Sequence, residues 1–340
     1  MKKKKHSRIW AVAGIILLGI VAVGIIYSHF GGFGTGPCAD ETEFMQYADQ
    51  VDNIKIPEKT KIVALGEASH GNVEFQQLKL SLFQNLVEND GVRAFALEGD
   101  YGGCEYVNRY IHGGEGTARQ AAAAIGFAIY RTDEMTDLIS YMRKYNETAK
   151  DGDDLRFYGF DMQRWSYNLQ YLIEACEKVG IDVTELKKLE DTEEQHSGHI
   201  ERSGNYGTDN RVMGNILSDE LGEGYFAIGT DFYKTNCNLP KNNGNRITHT
   251  FYSYDPLAKA AKKAGYDMCW LDFSKVPENS KLKEQISDSI FMGSLGEGYS
   301  PFFMSLIPRS YRISKTPEAL YDGMIFVTNA HPIEIRDEEQ

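Results

Sequence analysis

Residues 61–71 read Lys-Ile-Val-Ala-Leu-Gly-Glu-Ala-Ser-His-Gly, and this stretch decides the fold. The apolar run 62–65 stops at a glycine, and Glu67 and His70 follow directly. Residues 72–89 then show the three- and four-residue spacing of apolar side chains that is typical of a helix. A buried parallel strand, a tight turn and a crossover helix are therefore predicted. Because open α/β sheets bind ligands at the carboxyl ends of their strands, we expect Glu67 and His70 to lie at a ligand site.

Two later apolar stretches end in the same way. Residues 92–97 are followed by Glu98, and residues 155–160 are followed by Asp161. If these strands are parallel neighbours of the first, their polar ends converge on one edge of the sheet. Three such strand ends favour a functional site over a chance distribution of charges.

The remainder of the chain alternates helices and strands, which predicts an α/β domain over residues 40–340 with a mainly parallel sheet flanked by helices. In the first predicted helix, Phe75, Leu78, Leu82 and Leu86 form one apolar stripe that we expect to be buried. A short strand is predicted at 225–229 and a loop at 236–245. Later strands are predicted at 266–273 and 323–328.

The N-terminal sequence has the features of a membrane-spanning helix. Residues 2–5 are lysines, Arg8 follows, and residues 9–27 contain no charged side chain. A helix over these 19 residues is roughly 28 Å long, close to the thickness of the bilayer core. We predict a transmembrane signal anchor at 9–28.

The basic residues before the anchor predict its orientation. Lysines and arginines favour the cytoplasmic side, so residues 1–8 are expected to be cytoplasmic. A flexible stalk at 29–39 then leads to an extracytoplasmic domain. The expected location is therefore the cell membrane, with a single pass. A cleaved secretory signal peptide is the alternative.

The amino-acid composition argues against some classes of binding partner. The net charge of −13 over 340 residues argues against nucleic acid, because phosphate recognition needs basic patches. The five cysteines are scattered and show no zinc-type spacing. We expect most of them to be unpaired or buried thiols, and Cys38 and Cys104 are the two that could pair.

His70 is the strongest candidate for a catalytic residue. An imidazole can take a proton from water and return it to a leaving group, provided that a carboxylate orients it. Glu67, Glu74 and Glu98 are the candidates for that carboxylate. Alternatively, His70 caps the helix or bonds a backbone carbonyl. Lys79 is either a solvated charge or a group that holds an oxyanion.

A second pair of histidines, His196 and His199, has the spacing HxxH. Together with His70 and Glu74 it could form a zinc site, since imidazole and carboxylate are suitable ligands. No HExxH motif or cysteine cluster supports that alternative, and we predict neither a metal nor a cofactor. There is no G-x-S-x-G motif either, and Ser69 is a poor nucleophile because adjacent residues rarely face each other.

Taken in order, these motifs resemble the erythromycin esterase family over about residues 58–335. The resemblance rests on Gly66-Glu-Ala-Ser-His-Gly71, Glu74-Phe75, Phe95-Ala-Leu-Glu98, Tyr158-Gly-Phe-Asp-Met-Gln163, His196-Ser-Gly-His-Ile200 and Tyr321-Asp-Gly-Met-Ile-Phe326. Known members hydrolyse the lactone ester of macrolide antibiotics without a metal.

The resemblance implies roles for individual residues. His70 would be the general base, with Glu67 and Glu74 as its carboxylate partners and Glu98 in the same site. His196 and His199 would bind the substrate or polarise its carbonyl, and Lys79 and Asp161 would contribute to substrate binding.

Three departures from the family pattern bear on this assignment. Lys79 stands where the family has an arginine, and a lysine lacks the bidentate fork. Ser197 replaces an asparagine. Only 32 residues separate Gln163 from His196, so the helical lid near 180–195 and the strand that leads into the second histidine motif are expected to be missing.

We therefore predict a membrane-anchored hydrolase that acts on a small-molecule ester, a macrolide lactone or a related compound, with His70 leading water attack. One alternative is a catalytically impaired or ligand-binding relative in which the second histidine motif is displaced. The other is a metal-dependent hydrolase.

Overall fold

The computed structural model describes residues 2–29, 38–161, 165–188, 211–241, 244–253, 255–296, 298–300, 304 and 308–337. The helices in this part are α1 Lys2–His29, α2 Glu41–Tyr47, α3 Val73–Asn89, α4 Tyr101–Ile111, α5 Ala118–Ala124, α6 Asp133–Asn146, α7 Trp165–Lys178, α8 Met213–Leu221, α9 Pro256–Lys263, α10 Lys281–Ser287 and α11 Pro317–Leu320. The strands are β1 Ala48–Asp49, β2 Ile62–Leu65, β3 Ala94–Asp100, β4 Arg156–Asp161, β5 Tyr225–Pro240, β6 Arg246–Tyr252, β7 Met268–Asp272, β8 Ile290–Gly293, β9 Arg312–Lys315 and β10 Gly323–Ala330.

The chain forms two compact units. The first comprises Met1–Gln50, Glu67–Asn72 and Gly229–Pro332, and the second comprises Val51–Gly66, Val73–Ile228 and Ile333–Gln340. The long strand β5 begins in the second unit and continues into the first.

The first unit contains a sheet with the strand order β1-β7-β10-β5, and β6 pairs with β5. The pairs β1–β7, β7–β10 and β5–β6 are all antiparallel. The predicted mainly parallel sheet is therefore wrong for this unit. Buried apolar side chains cover the sheet, and the Phe44 ring of α2 meets the Phe326 ring of β10 edge to face at 5.6 Å. β8 and β9 form a separate antiparallel pair.

The second unit has parallel pairs. β2 pairs with the first four residues of β5, from Ile62 opposite Tyr225 to Leu65 opposite Ile228. β3 pairs with β4 in a separate parallel sheet. The described pairings thus place β2 beside β5 and not beside β3. Of the three strands whose ends would converge if they were neighbours, only β3 and β4 are parallel neighbours. As a whole the fold is mixed α/β, with sheets flanked by helices.

The predicted helix after His70 is confirmed as α3. All four side chains of its apolar stripe are buried, at 2% to 6% exposure, namely Phe75, Leu78, Leu82 and Leu86. The apolar core of the second unit also includes side chains from β3, β4, α4, α5 and α6. The spacing of apolar residues was a reliable signal here because this helix buries only one side.

The predicted loop at 236–245 is wrong over its first half and correct at its end. β5 continues to Pro240, and β6 begins at Arg246. Thr235, Cys237 and Leu239 are fully buried and alternate with half-buried residues, which is the period of a strand. Asparagines occupy two of the intervening positions, and their low preference for strands concealed the pattern.

Residues 2–29 form a helix, as the sequence predicted. Among the residues that the structure describes, however, no helix combines the length and the apolarity that crossing a membrane requires. The predicted transmembrane character of 9–28 is therefore not supported. The five cysteines, all of them among the described residues, form no disulfide, so Cys38 and Cys104 do not pair.

Candidate functional site

The turn that carries Glu67 and His70 begins where β2 ends. In the second unit, the Gly66 amide continues the ladder by donating to the carbonyl of Ile228, at 2.8 Å. The turn itself, Glu67–Asn72, belongs to the first unit. There both backbone groups of Ala68 are held: its N–H donates to Thr230 Oγ1 at 2.8 Å, and its carbonyl accepts from the Leu295 amide at 2.7 Å.

His70 and Glu67 are brought together by this turn. Nδ1 of His70 lies 2.8 Å from Oε2 of Glu67, and the two side chains are 23% and 13% exposed. A carboxylate accepts hydrogen bonds, so the contact places the imidazole proton on Nδ1 and the lone pair on Nε2. This is the arrangement of a histidine that is prepared to act as a base and is still reached by solvent.

Asn72 fixes the far end of the turn, and sequence reasoning missed it. Its buried Nδ2 donates to the carbonyls of Asn236 and His331, at 2.9 and 3.0 Å. Its Oδ1 accepts from the buried Thr235 hydroxyl at 2.8 Å. An asparagine directly before a helix reads as a capping residue, which concealed these long-range contacts.

The turn also packs closely against β5. A Cβ on Gly71 would lie 2.2 Å from the carbonyl oxygen of Asn238, so only glycine fits there. Oγ of Ser69 is buried, lies 2.8 Å from Sγ of Cys237 and accepts from the Gly71 amide. These contacts hold the Ser69 hydroxyl inside the fold, in agreement with its dismissal as a nucleophile.

Glu98 and Asp161 lie at the carboxyl ends of the parallel pair β3–β4 in the second unit. Glu98 is half-buried, its carbonyl accepts from the Tyr130 hydroxyl at 2.8 Å, and Asp161 is buried. The sequence thus correctly predicted polar groups at these two strand ends.

A third carboxylate, which the sequence did not single out, lies at the same two strand ends. Asp100 is opposite Asp161 in the register. It caps α4 through the Gly103 amide at 2.9 Å and accepts from Nδ2 of Asn168 at 2.8 Å. Burial, followed by the charges of Asp100 and Asp161, raises the pKa of the Cys104 thiol, so this cysteine stays protonated.

Glu74 and Lys79 lie on α3, also in the second unit. Glu74 is half-buried in the first turn of the helix. Lys79 is buried, and its Nζ donates to Oε1 of Gln76 at 3.1 Å. The interpretation of Lys79 as a solvated charge is therefore wrong.

The second histidine motif, His196 and His199, lies outside the described residues. The metal alternative depends on that pair, so it stays a prediction. Within the described part of the chain, no three or more histidine, cysteine, aspartate or glutamate side chains are grouped as a metal would require.

A comparison with models of known protein families shows to which family this chain belongs. The erythromycin esterase model matches residues 87–195 and 193–330, most of the chain. The chain belongs to the erythromycin esterase family. Erythromycin esterase type II of Escherichia coli is 33% identical over 110 residues, which is 32% of this chain. The match spans a quarter of the length of that relative.

Solved structures show where else the fold of this family member occurs. A protein from Bacillus cereus matches with a TM-score of 0.68 over 88% of this chain and all of that one, at 17% identity. A succinoglycan biosynthesis protein matches with a TM-score of 0.67, over 87% of this chain and 98% of the other, also at 17% identity. An erythromycin esterase mutant in its open conformation gives a TM-score of 0.48 at 12% identity, over 82% and 93% of the two chains.

Proposed function

We propose that this protein hydrolyses a carboxylic ester by general-base catalysis, with His70 as the base. The observation that carries the proposal is the 2.8 Å contact between Nδ1 of His70 and Oε2 of Glu67. It orients the ring and stabilises the imidazolium that forms when Nε2 takes a proton. Membership of the family and the name of the Escherichia coli relative support a macrolide lactone or a related ester as the substrate.

Water and the ester are the only reactants that the proposed reaction requires. Nε2 of His70 removes a proton from water as the water oxygen bonds to the acyl carbon. The tetrahedral intermediate then expels the alkoxide, and the proton on Nε2 passes to that leaving group. The products are a carboxylic acid and an alcohol, and His70 is neutral again.

Other residues enter the proposal through the family resemblance. Glu74 and Glu98 are assigned as further catalytic carboxylates. The proposed contacts to the substrate are made by four residues: Lys79, Asp161, His196 and His199. No metal or cofactor has a role in this scheme.

The test is His70→Ala, assayed with a macrolide lactone and with a p-nitrophenyl ester. We expect turnover to fall by about 10²–10⁴-fold with the melting temperature retained, because the proton acceptor is lost. Glu223→Gln is a matched surface control, since this side chain is 78% exposed. Equal turnover in His70→Ala and the wild type would disprove the role of His70.

The same assay, repeated after removal of metal ions, distinguishes the metal-independent reaction from the metal-dependent alternative. Turnover that survives exhaustive chelation supports the metal-independent reaction. Turnover that is lost on chelation and recovered with zinc supports a site built on His70, Glu74 and the second histidine pair.

A ligand-binding relative is the second candidate function. It is favoured by the family model, which matches as two segments that meet at residues 193–195, next to the second histidine motif. A missing lid and strand at that point would leave the substrate without part of its pocket. Thermal stabilisation by a macrolide lactone with no turnover by the wild type is the result expected for this candidate.

Membrane anchorage through residues 9–28 is a further part of the proposal. It is supported by the uncharged run after the lysines, and by apolar side chains of α1 that are exposed, such as Trp10 at 77% and Leu18 at 70%. Exposed apolar surface of this kind favours a membrane or a protein cover. The full chain should stay in the membrane fraction after an alkaline wash, and a chain lacking residues 1–39 should not. Mature protein that begins beyond residue 28 would indicate a cleaved signal peptide instead.

A further inference from the structure

Three charged side chains are buried together in the first unit. Asp231 lies on β5, Asp255 directly precedes α9, and Arg312 begins β9. The two aspartates are 1% exposed, and the Arg312 side chain is 2% exposed. Nε of Arg312 lies 3.4 Å from Oδ2 of Asp255, and its Nη2 donates to the carbonyl of Tyr252. With both carboxyls ionised the group carries a net charge of −1, which is costly to bury.

In the part of the chain that the structure describes, each of the two carboxyls has one oxygen that accepts a hydrogen bond and one buried oxygen that does not. Oδ1 of Asp231 accepts from the amides of Phe232 and Gly293, at 2.7 and 3.0 Å. Oδ2 of Asp255 accepts from the Ser253 hydroxyl. The other oxygens, Asp231 Oδ2 and Asp255 Oδ1, are buried with no hydrogen-bond partner among the described residues. One proton on the pair supplies a donor and removes the net charge.

The burial and the charges around Asp231 and Asp255 also favour one proton on these two carboxyls. Burial, and then the charge of Asp255, raise the pKa of Asp231 well above its usual range, against the opposing effects of backbone amides and Arg312. Burial also raises the pKa of Asp255, against Arg312, Ser253 and Lys259 of α9. The neighbouring Tyr311 phenol has a pKa raised mainly by its own burial. Because Arg312 forms an ion pair with Asp255, that carboxyl is the one favoured as the anion, and the proton of the two aspartates is assigned to Asp231.

Asp231 is connected to the Glu67–His70 turn on both sides. Its chain neighbour Thr230 accepts the Ala68 N–H. Its carboxyl holds the Gly293 amide, and two residues further on Leu295 donates to the Ala68 carbonyl. Ala68 lies directly after Glu67, the residue that contacts His70. Both hydrogen bonds of Ala68 thus depend on segments that Asp231 holds together.

We propose that Asp231, as a neutral carboxylic acid, is a positioning residue for the Glu67–His70 turn. Ionisation of Asp231 beside Asp255 buries a net negative charge, and repulsion between the two carboxylates displaces Asp231 together with its chain neighbour Thr230 and the Gly293 amide that it holds. That displacement releases the two hydrogen bonds of Ala68. The consequence for catalysis rests on the function proposed above. The effect on the turn itself does not.

The first measurement is the unfolding equilibrium between pH 5 and 9 for the wild type, Asp231→Asn and Asp255→Asn. An acid whose folded pKa is raised stabilises the fold below its unfolded pKa, and this stability is lost as the pH rises towards the folded value. The wild-type unfolding constant should therefore rise by up to about tenfold per pH unit relative to Asp231→Asn. Asp255→Asn should also flatten the slope, because it removes the like charge. The exposed Asp288→Asn is the matched control and should keep the wild-type slope.

The second measurement is hydrogen–deuterium exchange over residues 66–72, corrected for the intrinsic effect of pH. Exchange should increase at alkaline pH in the wild type and not in Asp231→Asn, and the alkaline limb of kcat should move to higher pH in that variant. The same pH slope of stability in all four proteins overturns the proposal, as does exchange that is independent of Asp231. If the exchange depends on Asp231 but the wild type hydrolyses no ester, the positioning of the turn is supported and only the proposed function fails.

Discussion

Glu67 and His70 are three residues apart, and the turn between them determines what the histidine can do. The carboxylate fixes the tautomer of His70. In the proposed reaction it also balances the charge that forms on the ring. The neutral variant Glu67→Gln keeps the shape of the side chain but loses that charge. We expect kcat to fall by about 10²-fold with a smaller change in KM, because the effect develops as the proton is transferred.

The control for this prediction is again Glu223→Gln, which neutralises an exposed carboxylate. A kcat for Glu67→Gln close to that of the control would show that Glu67 does not assist His70. A rise in KM alone would assign Glu67 to substrate binding instead.

Glycine is required at position 71 because neighbouring atoms leave no room for a side chain, and not because the backbone needs the conformational freedom of glycine. A Cβ at this position would lie 2.2 Å from the Asn238 carbonyl oxygen and 2.6 Å from Sγ of Cys237. Gly71→Ala is expected to destabilise the protein by about 1–3 kcal/mol, because the turn must move away from β5. In Gly296→Ala the added methyl group meets nothing within 4 Å, so we expect a change within about 0.5 kcal/mol. Urea unfolding of the two variants measures the difference, and equal stability would contradict the close packing of the turn.

At the scale of elements, helix α4 depends on a buried cap. Asp100 accepts the Gly103 amide and Nδ2 of Asn168, and Oδ1 of Asn168 accepts the Gly102 amide. Asp100→Ala removes the cap and leaves part of a buried amide without its partner. We expect a loss of about 1–3 kcal/mol in the free energy of unfolding.

Thr117→Ala is the comparison for Asp100→Ala. Thr117 caps α5 through the Gln120 amide in an exposed position, where water replaces a lost partner. Its removal is expected to cost about 1 kcal/mol or less. If the exposed cap proved the more costly of the two in thermal or urea unfolding, the network around Asn168 would have no stabilising role.

Strand β5 shows what one long element contributes to the site. Its first four residues pair with β2, and its later residues hold Ala68 through Thr230, Gly71 through the Asn238 amide and Asn72 through Thr235. The turn is therefore ordered by a strand that lies more than 150 residues away in the sequence. No local pattern around residues 66–72 indicates this.

At the scale of the whole molecule, the distribution of charge predicts a topology. The chain has a net charge of −13, but residues 2–5 are all lysines. If the N-terminus is an uncleaved anchor, these lysines keep it in the cytoplasm. A protease added to intact spheroplasts should then digest the domain after residue 39 and spare a cytoplasmic marker.

The matched variant replaces the lysines at 2–5 with glutamate, and a second variant replaces them with glutamine. The fraction of protease-sensitive protein should fall in both variants and to a similar extent, because both lose the positive residues that set the orientation and acidic residues contribute little. A domain protected from protease in the wild type would place it in the cytoplasm and contradict the predicted topology.

The local part of the fold was predictable from the sequence. The strand β2, the turn after it and the buried stripe of α3 follow from the period of the apolar residues, and this signal is carried by neighbours in the chain. The pairing of His70 with Glu67 was among the predicted alternatives, because a turn brings residues three apart into reach. Of the three strands that carry the candidate site residues, β3 and β4 pair in parallel, but β2 pairs with β5 instead of with either of them. The side chains within a strand do not specify its neighbour.

The sequence alone therefore determined the family and the elements around residues 61–89, and it supplied the residues of the proposed site. Only the tertiary structure decided that β5 extends into the predicted loop, that Asn72 and Thr230 hold the turn, and that Asp231 is buried beside Asp255. Local periodicity reports which face of an element avoids water. The hydrogen-bond partner of a buried polar group comes from segments that are distant in the chain. The sequence next to that polar group therefore does not indicate which partner it has.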